Sequence, residues 1–541
     1  MNSFSNATRQ SNLQRLAREK FDILIIGGGI TGAGIARDAA MRGYRVALID
    51  KGDFASGTSS KSSKLVHGGV RYLEIFEFGL VFEASRERRT LMRIAPHLVR
   101  AVPFVFPVYH DGRWSPWMID AGLWMYDALA LFRNAGRHRM LSRAAVAEKT
   151  RGIDTRNISS GAYYYDAQVD DARLTLENIR AAHRADARIA NYVQVDALLK
   201  EGERVVGVRA HDVLTGEKIA IHARVVVNAT GPWTDALAQM DDPRAPHRLR
   251  PTKGAHIFVS RERIGTENAA TFPSFQDQRI MFLIPWGKFT IIGTTESDYA
   301  GDIDRVYADA RDVNYILAAT NHAFPLAKLA RADVISAYAG VRPLVREAGK
   351  DTTQTSREHS ISVSASGLVT IAGGKLTTYR AMAEQLANVV GKKLWREFNI
   401  APARRAHTAR MPLVEANGAA DFARDDFAAD VGEHLARAYG ANAARVAAIA
   451  RTEERAARRI VADLPYLWAE VDYALENEMP ATLTDFLARR THILNEDRDN
   501  GVEIAQPVAA RMARALGWDR ARVETELRAY QEQVELAKKY L

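Results

Sequence analysis

Gly27, Gly29 and Gly32, followed eighteen residues beyond the last by Asp50, have the types and spacing to hold a dinucleotide. Gly27 permits a tight turn, Gly29 lets the backbone approach a pyrophosphate, and Gly32 lets a helix pack closely on its strand. Unpaired N–H groups at the helix start face the anion, and the Asp50 carboxylate accepts bonds from both hydroxyls of an adenosine ribose. That chemistry needs several elements in register. An apolar run at 23–26 reads as a buried strand, alanines at near-helical intervals follow the glycines, Gly43 stops that helix, and a second strand at 46–49 ends on Asp50. A structural glycine turn would require neither the second strand nor the acid.

Two further strand ends share this design. The run 225–227 leads into Asn228, Ala229, Thr230 and Gly231, and LVTIA at 368–372 leads through Gly373 and Gly374 into the helical pattern KLTTYRAMAEQLANVV. Three such ends converging at one sheet edge call for a cofactor longer than a mononucleotide, and FAD fits best. A nicotinamide cofactor would leave the third element without a task. The helix beginning at about Leu376 turns its positive end toward the flavin N1 and C2 carbonyl region, where negative charge gathers on reduction.

The remaining composition narrows the class. A chain of 541 residues with 47% hydrophobic and 26% charged residues is an ordinary globular protein of several cores. It has no cysteine, so disulfides, iron–sulfur clusters and thiol redox pairs are excluded, and no metal is expected. The net charge of +9 favours acidic partners such as phosphorylated substrates or anionic lipid, whereas no concentrated basic tract points to nucleic acid. Neither a signal peptide nor a transmembrane helix is expected. Residues 117–132, WMIDAGLWMYDALALF, form an apolar helical segment with Asp120 and Asp127 nearly on one face and Arg133, Arg137, His138 and Arg139 close behind. A helix packed inside the protein is favoured over an interfacial one. Alternating segments between about 250 and 296 suggest an antiparallel sheet, the polar tail Met1 to Lys20 is expected to be mobile, and the chain becomes all-helical beyond Pro402.

SSKSSKLVHGGVRYLE at 59–74, NATGPW at 228–233, RPTKGAHIFV at 250–259, IPW and IIGTTE at 284–296, GVRPL at 340–344 and GGKLTTYR at 373–380 together resemble FAD-dependent glycerol-3-phosphate dehydrogenases of the D-amino-acid-oxidase-like superfamily. LARRT at 487–491 resembles that family's cap. The resemblance implies an α/β protein with a discontinuous Rossmann-like FAD-binding domain, an antiparallel-sheet substrate domain and a C-terminal all-α cap domain. The segments expected are a tail at 1–20, FAD-binding parts at 21–110, 151–240 and 335–399, substrate-domain parts at 111–150 and 241–334, and the cap at 400–541. It also implies oxidation of glycerol 3-phosphate to dihydroxyacetone phosphate, transfer of two electrons to membrane quinone, and peripheral attachment to the cytoplasmic face of the bacterial inner membrane. A homodimer is a further possibility.

Hydride loss from C2 requires a base for the hydroxyl proton and a grip on the phosphate dianion. By the resemblance, Arg71, Arg342 and Lys375 supply cations to the phosphate or the C2 oxygen, and Tyr72 and Thr377 add neutral hydrogen bonds. His67 is the preferred base and His256 its rival. Thr58, Ser59, Ser60, Ser63 and Lys64 are expected along the pyrophosphate and flavin ring, Thr230 and Gly231 at the nucleotide half, and Gly373, Gly374 and Thr378 at the isoalloxazine half. Competing readings are an oxidase that reduces oxygen to peroxide, an amine or amino-acid oxidase on the same scaffold, and a non-catalytic flavin- or lipid-binding protein.

Overall fold

Short runs of β-branched and aliphatic residues with no polar face can be buried only between two layers, and that is their place here. The computed structural model describes residues 3–69, 77–346, 358–414 and 422–541. Strands Val46–Ile49, Lys20–Ile26, Lys218–Asn228 and Val369–Gly373 lie side by side and parallel, with Arg188–Ala190 beyond the first and antiparallel His359–Val363 beyond the last. Their register aligns Ile26 with both Ile49 and Asn228, and Asn228 with Thr370. Gly27, Asp50, Ala229 and Gly373 therefore emerge along one edge, although they are up to 346 residues apart in sequence. Helices Ile30–Met41, Asp171–Arg184 and Tyr379–Phe398 pack against this sheet's core. Gly34 permits the approach of Tyr379–Phe398 to Ile30–Met41: a Cβ there would lie 2.9 Å from the Tyr379 ring.

The second sheet has ten strands among the described residues and is antiparallel except where Ala269–Pro273 runs parallel to Val99–Tyr109. It is larger than the 250–296 stretch suggested. Val99–Tyr109 and Ile158–Val169 pair along their length, and Val334–Val345 pairs with Leu249–Ser260. Of these four, Val99–Tyr109, Ile158–Val169 and nearly all of Val334–Val345 fall in segments assigned by sequence to the FAD-binding part. They belong here because their apolar faces build the two cores under this sheet, with Phe104, Ala162 and Tyr338 in one and Val105, Ile158 and Ala337 in the other. Alternating burial looks alike in either sheet, so periodicity cannot tell which sheet a strand joins.

The N-terminal residues correct another expectation. Asn6–Arg18 is a helix opened by a Ser5–Thr8 capping box, and its inner face is largely polar. Arg9 pairs with Asp212 at 2.6 Å, Asn12 donates to Ile189 O at 2.8 Å, and Leu16 is fully buried. Fixed by partners some 180 to 200 residues away, a polar helix face of this kind leaves no hydrophobic pattern.

Beyond residue 422 the described chain is helical. Gly440 and Gly517 stop Ala429–Tyr439 and Val502–Leu516, both with positive φ. Pro116–Leu129 is packed on one face only: Leu123, Tyr126 and Asp127 are buried, whereas Trp117, Met118, Trp124 and Met125 are exposed. His138 bridges Asp127 and Asp120 at 2.8 and 3.2 Å. Among the described residues no helix is long and apolar enough to cross a membrane.

Candidate active site

The glycine-bearing strand ends open onto a cavity of about 1550 Å³ whose other walls come from the second sheet and the C-terminal helices. At its nucleotide end, Gly27 has φ +112°, and a Cβ there would lie 2.5 Å from Ala229 O; one on Gly32 would lie 1.9 Å from Gly27 O. The turn closes only with glycine at both positions. Ile30 N donates to Ser59 Oγ at 2.9 Å, which ties the helix start to the hydroxyl-rich loop. Asp50 accepts from Gly28 N at 2.5 Å and Gly52 N at 2.8 Å. Enclosure by the protein nevertheless pushes its pKa up to about 6.

These features fit FAD. Gly27, Gly29 and Asp50 line one end, Thr230 and Gly231 the adjoining wall, and Gly373, Gly374, Lys375 and Thr377 the other end. Close approach there also depends on glycine: a Cβ on Gly374, at φ +94°, would meet Met382 Cε at 2.2 Å. A short 3-10 turn, Leu376–Thr378, opens the helix Tyr379–Phe398, so its positive end faces the cavity.

His67, Ser63, His256, Arg342 and Lys375 line the same cavity. His67 is held by its neighbours: Thr377 Oγ1 donates to His67 O at 3.3 Å, and Gly68 N donates to Asp166 Oδ1 at 2.9 Å. His256 Nε2 and Ser63 Oγ lie 2.8 Å apart, and the imidazole stacks on Tyr338 with ring centroids at 5.0 Å. Burial, reinforced by the Arg342 and Lys64 cations, pushes the His256 pKa down to about 3, so its ring is neutral at ordinary pH. Arg342 donates to Thr294 Oγ1 at 3.0 Å and lies 3.6 Å from Glu296. Gly254 leaves the room that this guanidinium fills, since a Cβ would meet Arg342 Nη2 at 2.5 Å.

Not every expected contact reaches the cavity. Lys64 turns away: its amine pairs with Asp171 at 2.6 Å and is only 1% exposed, because the buried carboxylate outcompetes a solvated wall position. Ser60 and Thr378 are also off the wall, and Gly32 lies behind the turn it allows to pack. Arg71 and Tyr72 lie outside the described residues. Conversely, the wall includes Arg279, which donates to Glu296 at 2.9 Å, and Lys61, whose pKa enclosure and the nearby Arg489 push down to about 8. A solitary arginine before a strand carries no motif that would have marked it, whereas Lys61 lies within the SSKSSKLVHGGVRYLE stretch beside residues that were singled out.

Comparison with known proteins follows the same outline. Residues 22–388 match the family described as FAD dependent oxidoreductase, and residues 369–523 match the C-terminal domain of alpha-glycerophosphate oxidase. The chain is 40% identical to glycerol-3-phosphate dehydrogenase 2 of Mycobacterium tuberculosis, over 98% of this chain and 90% of that protein. It is 35% identical to aerobic glycerol-3-phosphate dehydrogenase of Staphylococcus saprophyticus, over 99% and 97%. Among solved structures, the Bacillus halodurans glycerol-3-phosphate dehydrogenase complexed with FAD superposes with a TM-score of 0.82 at 32% identity, covering 99% of this chain and 98% of that one.

Proposed function

This chain belongs to the FAD-dependent oxidoreductase family, among its glycerol-3-phosphate dehydrogenases, and we propose that it oxidises sn-glycerol 3-phosphate to dihydroxyacetone phosphate and passes the two electrons to a membrane quinone. The observation that carries this reading is that Arg342, Arg279, Lys375, His67 and His256 all line the cavity that the glycine turns open. Bound FAD supplies the hydride acceptor for C2. Arg279, which also meets Asp277, and Arg342 converge on Glu296, and their guanidinium groups offer forked donors to a phosphate dianion, with Arg71 joining them by resemblance. Lys375 offsets negative charge at the C2 oxygen as its proton leaves. His67 takes that proton, with Thr377 and Asp166 fixing the backbone that presents it. The neutral His256, hydrogen-bonded to Ser63, orients the hydroxyl.

Anaerobic addition of glycerol 3-phosphate to the FAD-loaded protein is expected to bleach the flavin. A protein that stays yellow would refute substrate oxidation and leave a binding function. His67→Gln should slow the bleaching by about a hundredfold or more, whereas His256→Gln should slow it less. The reverse order would make His256 the base. Under air, a quinone analogue is expected to accelerate turnover, and rapid peroxide formation without it would indicate an oxidase instead. Exposed Trp124, Leu131 and Phe132, which do not line the cavity, with exposed Arg133, Arg137 and Arg139 beside them, support docking on anionic lipid where such a quinone resides.

A further inference from the structure

The C-terminal helices reach the cavity at its nucleotide end. Thr482, Arg489 and Gln533 line it there, with Asp50, Asp53 and Tyr192. Arg489 Nε donates to Asp53 Oδ2 at 2.7 Å, and its Nη2 donates to Asp485 Oδ1 at 2.6 Å. The neighbouring Arg490 grips the same Asp53 carboxylate from its buried side at 2.8 and 3.0 Å. Asp53 lies three residues beyond the ribose-type Asp50, in a loop anchored a second time by Tyr192 and Val193. Tyr192 N donates to Gly52 O at 3.0 Å and Val193 N to Asp50 O at 2.7 Å. The Tyr192 hydroxyl in turn donates to Asp485 at 2.6 Å. One hydrogen-bonded ring thus runs from the Asp50 loop through Tyr192 and Asp485 to Arg489 and back by Asp53. Arg489 and Arg490 sit in a π-helical turn, Phe486–Arg490, a distortion that turns two successive guanidinium groups onto one carboxylate.

We propose that the C-terminal helices complete the cofactor site: Arg489 is a positioning residue that holds the Asp50–Asp53 loop in its ribose-binding form, so that FAD uptake and docking of these helices are coupled. The proposal rests on FAD occupying this cavity. It follows from reciprocity: if Arg489 stabilises the binding form of the loop, bound FAD stabilises the contact with Arg489 equally. A ring serving stability alone would not respond to the cofactor.

The test titrates FAD into apoprotein, read by flavin fluorescence, for wild type, Arg489→Met and Arg489→Lys. Amide hydrogen exchange of wild type with and without FAD accompanies it. FAD should bind Arg489→Met about tenfold or more weakly, the loss of one charge-assisted contact, and Arg489→Lys should recover most of the affinity. In wild type, FAD should slow exchange across 483–490. Affinity of Arg489→Met within about twofold of wild type, or exchange at 483–490 unaltered by FAD, would overturn the coupling. Should Arg489→Met fail to fold, the wild-type exchange result decides alone. A wild type that takes up no FAD would instead overturn the cofactor reading, a failure distinct from the others.

Discussion

At the scale of single residues, the site is organised by two arginines that converge on Glu296. Arg279 and Arg342 approach it from two separate stretches of chain, and Arg279 also meets Asp277, so both guanidinium groups are held in place to receive a phosphate. Arg279→Met should therefore raise KM for glycerol 3-phosphate by about tenfold or more with a smaller change in kcat, as expected for a lost bond worth ~1.5–3 kcal/mol. Steady-state kinetics with a soluble acceptor test this, and an unchanged KM would remove Arg279 from the phosphate site. Asp50 gives a pH prediction. Its free carboxyl has pKa about 6, and accepting ribose hydroxyl protons favours the charged form, so FAD binding lowers that pKa. Protons then compete with the cofactor as pH falls: FAD affinity should drop from pH 6 toward 4, by up to about tenfold per unit, and Asp50→Asn should flatten the dependence. Fluorescence titrations at several pH values report both. Asp50 was readable in the sequence because a strand, a glycine turn and a helix fix its distance from Gly32. Arg279 was not, since its role comes from Glu296 across the sheet.

At the scale of elements, Pro116–Leu129 shows how far a pattern carries. Its apolar content and length are visible in the sequence, and Leu123 and Tyr126 do pack inward as the favoured reading held. The other face is the part that composition hides. Trp117 and Trp124 are 71% and 51% exposed, and Leu131 and Phe132 continue the apolar strip at 57% each. Exposed tryptophans next to arginines suit the boundary between acyl chains and anionic headgroups. Trp124→Ser combined with Phe132→Ser should reduce partitioning onto anionic vesicles about tenfold or more, each aromatic side chain contributing ~1.5–3 kcal/mol when buried. Turnover with a soluble acceptor should be unchanged, because neither residue lines the cavity. Raising the salt concentration should weaken the residual binding by screening the arginines. Flotation unaltered by the double substitution would place the docking face elsewhere.

At the scale of the whole molecule, the chain crosses repeatedly between its two sheets, and this crossing sets the limits of reading by segment. The nucleotide unit at 20–50 is local and was legible. The partition of Ile158–Val169 and Val334–Val345 was not, because it is decided by partners far away in sequence. The helical C-terminal part shares an apolar core with the second sheet, and it meets the parallel-sheet part across a buried polar seam. Arg173, on the helix Asp171–Arg184 beneath the parallel sheet, donates to both Glu478 oxygens at 2.8 and 3.1 Å and to Ala438 O at 3.2 Å, with its guanidinium 4.2 Å from the centre of the Tyr439 ring. Both partners are essentially inaccessible to water. Arg490 reaches the Glu478 carboxylate only at 3.8 Å, since its guanidinium is engaged by Asp53 and the Glu478 carbonyl. Arg173→Met should thus strand a buried carboxylate, at a cost of ~3–5 kcal/mol. In a protein of several cores this loss falls on one part first. Calorimetry should show a new, earlier transition, lowered by roughly 6 °C or more, that releases the C-terminal helices while the parallel sheet stays folded. Exchange or limited proteolysis at the intermediate temperature identifies the released segment. A single transition at the wild-type temperature would mean that apolar packing, rather than this ion pair, holds the two parts together.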